Sequence, residues 1–168
     1  LFKNDLLLKN DLSATFSSTE QVGDIKTTDQ LKDQATTFFG ERQKLFLEQA
    51  MPRVKVNLTN IIKHNKWSFM LRNVYFGEVT DPDSHADVDA NGNSDLTYYG
   101  GKIITDLSVG YDFSNQFRIT VGSNNLLDVY PDENRVASTS GNQFVYSRRT
   151  SQFGYTGRYV FTRINFTF

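Results

Sequence analysis

Cysteine is absent from all 168 residues, which excludes a disulfide framework, a thiolate metal site and a cysteine nucleophile. Nor does any run approach the roughly 18 apolar residues that a membrane helix needs, so only strands could carry this chain across a bilayer. Charge of one sign is lacking as well: 18 Lys and Arg stand against 19 Asp and Glu, and a net charge of -1 argues against nucleic acid as a partner. The first residues lack a basic stretch followed by an apolar one, so no secretion leader is read there, and a start at Leu1 rather than Met is read as a truncation. Histidine is scarce too. His64 and His85 have no companion at metal-pair spacing, and no Gly-x-Ser-x-Gly occurs. An enzymatic reading would need His85 with Asp87 or Ser84, but no third group completes a triad, so the chain is expected to be neither an enzyme nor a cofactor carrier.

Aromatic residues are abundant: 14 Phe, 8 Tyr and 1 Trp make 14% of the chain. Mean hydropathy of -0.47 matches an ordinary soluble domain, yet a transmembrane barrel alternates lipid-facing and interior side chains and averages just as low. The aromatics suit either barrel girdles or a sandwich core, so they favour all-β without choosing the solvent.

Period-two alternation runs through several segments. Leu107, Val109, Tyr111 and Phe113 share one face, with Asp106, Ser108, Gly110 and Asp112 on the other. A three-residue loop at 114–116 sets Phe113 against Phe117, Tyr111 against Ile119, Val109 against Val121 and Asp112 against Arg118. A two-residue loop would mix the faces. A second hairpin is read around His64 and Asn65, setting Ile62 against Trp67, Leu58 against Leu71, Val54 against Tyr75 and Asn57 against Arg72. Near the start, Leu12, Ala14 and Phe16 alternate with polar neighbours, and Lys9, Asn10 and Asp11 read as a turn into that strand. At the end, Phe168, Phe166, Ile164 and Val160 share a face broken only by Thr162, while Arg163, Asn165 and Thr167 share the other.

Connection lengths alternate. Turns at 9–11, 64–65 and 114–116 are short, whereas 17–52, 78–101 and 128–154 are long and polar. Short periplasmic turns and long extracellular loops give this rhythm in a transmembrane barrel. In the first long connection, Leu31, Ala35, Phe38 and Phe39 have helical spacing and 41–49 extends it, so a short helix is expected before Pro52. At most seven strands can be counted, below the roughly eight that close such a barrel, so either missing sequence completes it or the fold is not a barrel.

The last third carries a more specific pattern. Gly100-Gly101-Lys102-Ile103-Ile104-Thr105-Asp106-Leu107 is followed by Val121-Gly122-Ser123-Asn124-Asn125-Leu126-Leu127-Asp128-Val129-Tyr130-Pro131, then by Phe153-Gly154-Tyr155-Thr156-Gly157-Arg158-Tyr159-Val160-Phe161 and Phe168. This resembles the C-terminal part of TonB-dependent receptors, most specifically at Asn124, Asn125, Leu126, Leu127 and Asp128, with a weaker likeness from Pro52 onward. The resemblance implies an antiparallel barrel of about 22 strands, of which this chain holds the last six or so, filled by a plug that lies outside these residues. It also implies active uptake of a siderophore, metal chelate, vitamin or saccharide, driven through the plug by the TonB complex. Its ending departs from the subgroup that pairs with a surface lipoprotein. A soluble all-β module binding saccharides is the alternative.

Three local features bear on partners. Asp87, Asp89, Asn91 and Gly92 match the opening of a calcium loop, but Tyr98 occupies the place of the closing Glu and the flanks read as strand, so a solvated acidic turn at Asn91 and Gly92 is the expected reading and calcium the alternative. Residues 78–95 hold six acidic side chains and no Lys or Arg, whereas Arg135, Arg148 and Arg149 could meet phosphates of lipopolysaccharide or an anionic chelate, with ordinary loop solvation the expected role. The row of Val160, Ile164, Phe166 and Phe168 resembles the terminal signal engaged by the barrel-assembly machinery, for which an open strand edge offers the means.

Overall fold

The computed structural model describes residues 6–23, 25–34, 37, 40–82, 96–134, 143–147, 150 and 152–168. Its main sheet has six antiparallel strands: β1 (Leu6–Phe16), β2 (Val54–His64), β3 (Trp67–Phe76), β6 (Lys102–Asp112), β7 (Phe117–Asn124) and β8 (Tyr159–Phe166), each beside the next in that order. Between β3 and β6 a separate hairpin pairs β4 (Val79–Pro82) with β5 (Leu96–Tyr99). The sheet is an open meander, with β1 and β8 at its two edges. Because consecutive strands run antiparallel, the two tight turns lie at one end and the three long connections at the other. No helix among the described residues is long and apolar enough to cross a membrane.

The two faces read from the sequence are those of the main sheet, with Asn10, Asn60, Asn73 and Thr162 as polar interruptions of the apolar one. Leu12, Leu58 and Ile62 share a face with Phe69, Val109, Val121, Ile164 and Phe166, while Lys55, Arg72, Asp106 and Arg118 line the other. The 114–116 hairpin has the expected register, with Tyr111 opposite Ile119, Val109 opposite Val121 and Asp112 opposite Arg118. The Phe113 amide donates to the Phe117 carbonyl at 3.0 Å, and the two rings lie 5.5 Å apart.

Two expectations are corrected. The second hairpin turns at Asn65 and Lys66, one residue later than read, because Asn65 takes the left-handed conformation (φ 52°) that such turns require. Partners therefore shift by two: Ile62 faces Phe69, Leu58 faces Asn73, Val56 faces Tyr75 and Thr59 faces Arg72. A shift of two preserves parity, so every side chain keeps its expected face. Lys9, Asn10 and Asp11 form no turn. They continue β1, since Lys9 and Asp11 fall on the polar face and Asn10 stands opposite Asn60. The short helix expected before Pro52 is present as α1 (Glu41–Gln49), while Leu31 of the same spacing sits in a 3-10 turn (Asp29–Gln34). Ala35, Phe38 and Phe39 lie outside the described residues.

A conventional core is missing from the sheet. The buried apolar side chains among the described residues are Leu45 of α1, Val79 of β4 and Tyr99 of β5, all within the long connections. The apolar face of the sheet is bare: Leu12 is 70% exposed, Phe16 74% and Ile164 65%. Along the short-turn end of that face, Phe69, Trp67, Tyr111, Phe113, Phe117, Phe166 and Phe168 form a chain of neighbouring rings with centroids 4.7 to 6.5 Å apart.

Candidate functional site

The polar face carries ion pairs that the strands place directly across from each other. Arg72 of β3 and Asp106 of β6 are register partners, and the Arg72 Nε donates to Asp106 Oδ2 at 2.8 Å while its terminal nitrogen reaches the same oxygen. Near the short turns, Arg118 lies 3.5 Å from Asp112 and crosses Gly110 to donate to the Ser68 hydroxyl. A Cβ at Gly110 would sit 2.6 Å from that hydroxyl, so the missing side chain makes the crossing possible.

Asp106 has a second task. It is 4% exposed, and its Oδ1 accepts the backbone N–H of Asn125 at 2.8 Å, where the chain leaves β7. Asn125 is left-handed (φ 49°), a conformation asparagine tolerates, and its side chain ties off the turn. Its Nδ2 donates to the Val129 carbonyl at 2.7 Å, and its Oδ1 accepts the Val129 N–H at 2.9 Å. The Leu126 N–H donates to the Thr105 carbonyl at 2.7 Å, fastening the turn to β6. Asp128, also left-handed (φ 57°), accepts the Arg158 N–H at 2.7 Å and so fastens the same turn to the approach of β8. Of the five residues singled out in the sequence, Asn125 and Asp128 supply side-chain bonds and Leu126 a backbone bond, while Asn124 closes β7 and Leu127 stays exposed. The negative charge of Asp128, with some burial and a hydrogen bond to the same carboxylate, holds the Tyr130 phenol above its ordinary 10.0.

No family model matches the chain, and neither does any curated protein or solved structure. What the site can do therefore rests on its own geometry.

Over the long-loop end, the connections 77–101 and 125–158 interlock. The Gln152 amide donates to the carbonyls of Gly77 at 2.6 Å and Gly100 at 2.9 Å, bracing both ends of the β4–β5 excursion. Ser147 donates to Asp81 at 2.7 Å, and Tyr99 to the Asn134 side chain at 2.5 Å. Asp132 accepts from the Gly100 N–H at 2.7 Å and from Lys102. The Lys102 hydrogen bond, reinforced by Gly100 against a cost of burial, holds the Asp132 carboxyl below its ordinary 3.8. Sequence reasoning missed this layer, since contacts such as that of Gln152 with Gly77 span 75 residues and leave no periodic trace.

Val160, Ile164 and Phe166 lie on β8 along the apolar face, and the Phe168 ring packs edge-on against Phe166 at 5.1 Å. His64 ends β2 opposite Trp67. Asp87, Asp89 and Asn91, the Ser84 and His85 considered for an enzyme, and Arg135, Arg148 and Arg149 all lie outside the described residues. Among the described residues no group of three or more His, Cys, Asp or Glu is placed to hold a metal.

Proposed function

We propose that this chain forms part of the wall of a transmembrane β-barrel in a bacterial outer membrane, in a receptor of the TonB-dependent kind that takes up a scarce nutrient. One observation carries the reading: the sheet is turned inside out, with its apolar face bare and its polar face holding Arg72 on a buried Asp106. A soluble module must cover residues such as Leu12, Phe16 and Ile164, because large contiguous apolar patches on soluble monomers are rare. Strands of 8 to 11 residues suit a tilted crossing of the bilayer, and the ring chain at the short-turn end suits an interfacial girdle. The open edges of β1 and β8 need further strands, consistent with a larger barrel.

In this reading the interlocked long loops face outward, toward lipopolysaccharide and ligand. The Asn124 to Asp128 turn holds the last two strands in place, and β8 with Phe168 is the edge offered to the barrel-assembly machinery. The TonB complex acts through a plug outside these residues. These 168 residues hold no cysteine, so once any cysteine elsewhere in the full-length protein is replaced by serine, single introduced cysteines report the solvent at each face. In membranes from cells expressing the full-length protein, cysteine introduced at Val121 should react only with a lipid-soluble maleimide, and cysteine at Ser108 with a water-soluble one. Water-soluble labelling at both positions would overturn the membrane assignment.

A further inference from the structure

Asparagine interrupts the apolar face at one place. Asn10 of β1 stands directly opposite Asn60 of β2, and Asn73 of β3 stands between Leu58 of β2 and Thr105 of β6. All three share the face of Leu12, Leu58 and Phe69, opposite the ion pairs of the polar face. Their hydrogen-bonding capacity is largely unspent. Asn10 and Asn60 make no side-chain hydrogen bond among the described residues, even with each other. Asn73 accepts the Thr105 hydroxyl at 2.8 Å, which leaves its NH2 group without an acceptor among those residues. The hydroxyls of this face are less demanding, since they can turn onto nearby backbone, as Ser123 does onto the Asn124 carbonyl at 3.3 Å.

Depth makes the amides costly. Asn60 pairs with Leu71, four residues along β3 from Trp67 of the ring chain. That length of strand rises about 13 Å, or about 10 Å along the normal of a bilayer crossed at about 40°, near the middle of an apolar band about 25 Å tall. On the membrane reading, on which this inference rests, hydrocarbon lies there and offers an amide no partner. Nor does the rest of the barrel cover the patch. A plug lies against the opposite face, and further strands would extend the sheet beyond the edge of β1 rather than over it.

We propose that this patch is the surface through which two copies of the protein associate side by side in the membrane. The occupant follows from the chemistry. No Lys, Arg, Asp or Glu lies on this face of β1, β2 or β3, so nothing there holds a charged partner. An amide carries donor and acceptor together and therefore complements another amide. About a twofold axis, Asn10 of each copy meets Asn60 of the other, so the pair satisfies itself. Around it Leu8, Leu12, Leu58, Ile62 and Leu71 supply the apolar surface that keeps the contact closed.

The test uses the full-length protein in outer membranes, with any cysteine elsewhere replaced by serine. Leu58→Cys keeps every amide in place and should be joined to a second copy by a short lipid-soluble bis-maleimide, whereas Val121→Cys, on the same face but away from the patch, should not. In detergent, sedimentation should show a dimer, which the paired change Asn10→Leu and Asn60→Leu weakens by about tenfold or more. The amount of the paired variant in the membrane should not fall, because leucine suits lipid better than asparagine does. Absence of a cross-link at Leu58→Cys, an equal one at Val121→Cys, a cross-link only to some other protein, or a dimer indifferent to the paired change overturns the proposal. Maleimide labelling of the same membranes separates the two readings. A missing dimer with Val121→Cys still reached only by the lipid-soluble reagent is failure of the interface alone, whereas water-soluble labelling at Val121→Cys overturns the membrane reading and the interface together.

Discussion

The carboxylate of Asp106 receives the backbone N–H of Asn125 at 2.8 Å across 19 residues of chain, so the turn that ends β7 is anchored on a side chain of β6. The same carboxylate holds Arg72. Replacing it by Ala leaves a backbone donor and a guanidinium without their acceptor at one point. Asp106→Ala should lower stability by about 2 to 3 kcal/mol, whereas Asp112→Ala, whose partner lies 3.5 Å away and is better solvated, should cost about 1 kcal/mol or less. Urea unfolding in detergent would measure both, and similar losses would count against the anchoring role.

The two faces should differ sharply in their tolerance of charge. Val109→Lys, on the apolar face between Phe69 and Val121, is expected to cost about 2 to 4 kcal/mol in a bilayer, and Ser108→Lys on the polar face well under half of that. Refolding equilibria in lipid vesicles would reveal this asymmetry. Equal penalties would mean that the two faces meet the same solvent.

Acid should release the long-loop layer at one defined contact. Asp132 has its pKa depressed by Lys102 and by the Gly100 N–H, so its contribution is fully present above the ordinary carboxyl value of 3.8 and disappears as pH falls through the lower folded value. Hydrogen-exchange protection of the Gly100 amide should hold steady from neutral pH down to the ordinary carboxyl value of 3.8 and be lost only in stronger acid. Asp132→Asn should lose that pH dependence. Tyr130 has the opposite sign: its pKa is raised by Asp128, so its contribution is complete below 10.0 and lost only in stronger alkali.

Phe168 and Phe113 both belong to the ring chain, yet they are expected to differ in consequence. If the end of β8 is the edge used in assembly, Phe168→Asp should lower the amount of protein inserted in the outer membrane several-fold, and Phe113→Ala only slightly. Quantifying both variants in isolated outer membranes decides the matter. Equal amounts would leave Phe168 as an interfacial anchor.

Period-two alternation is a local property of the extended chain, and so the sequence alone determined which face each strand residue occupies. Leu12, Leu58, Val109, Val121 and Ile164 were assignable to one face without knowledge of any partner, and the three-residue 114–116 turn was preferred because a two-residue loop would mix the faces. Where parity is silent, tertiary structure decided. Moving the β2–β3 turn to Asn65 and Lys66 changes every partner without changing any face, so only the backbone conformation of Asn65 selects it. Lys9, Asn10 and Asp11 look like a turn in isolation and become strand because β2 pairs with them along their whole length. The clamp of Gln152 on Gly77 and Gly100 and the anchoring of Asn125 on Asp106 join residues distant in the chain through single side chains. Contacts of that kind have no period, and they exist only once the sheet has brought its strands and loops together.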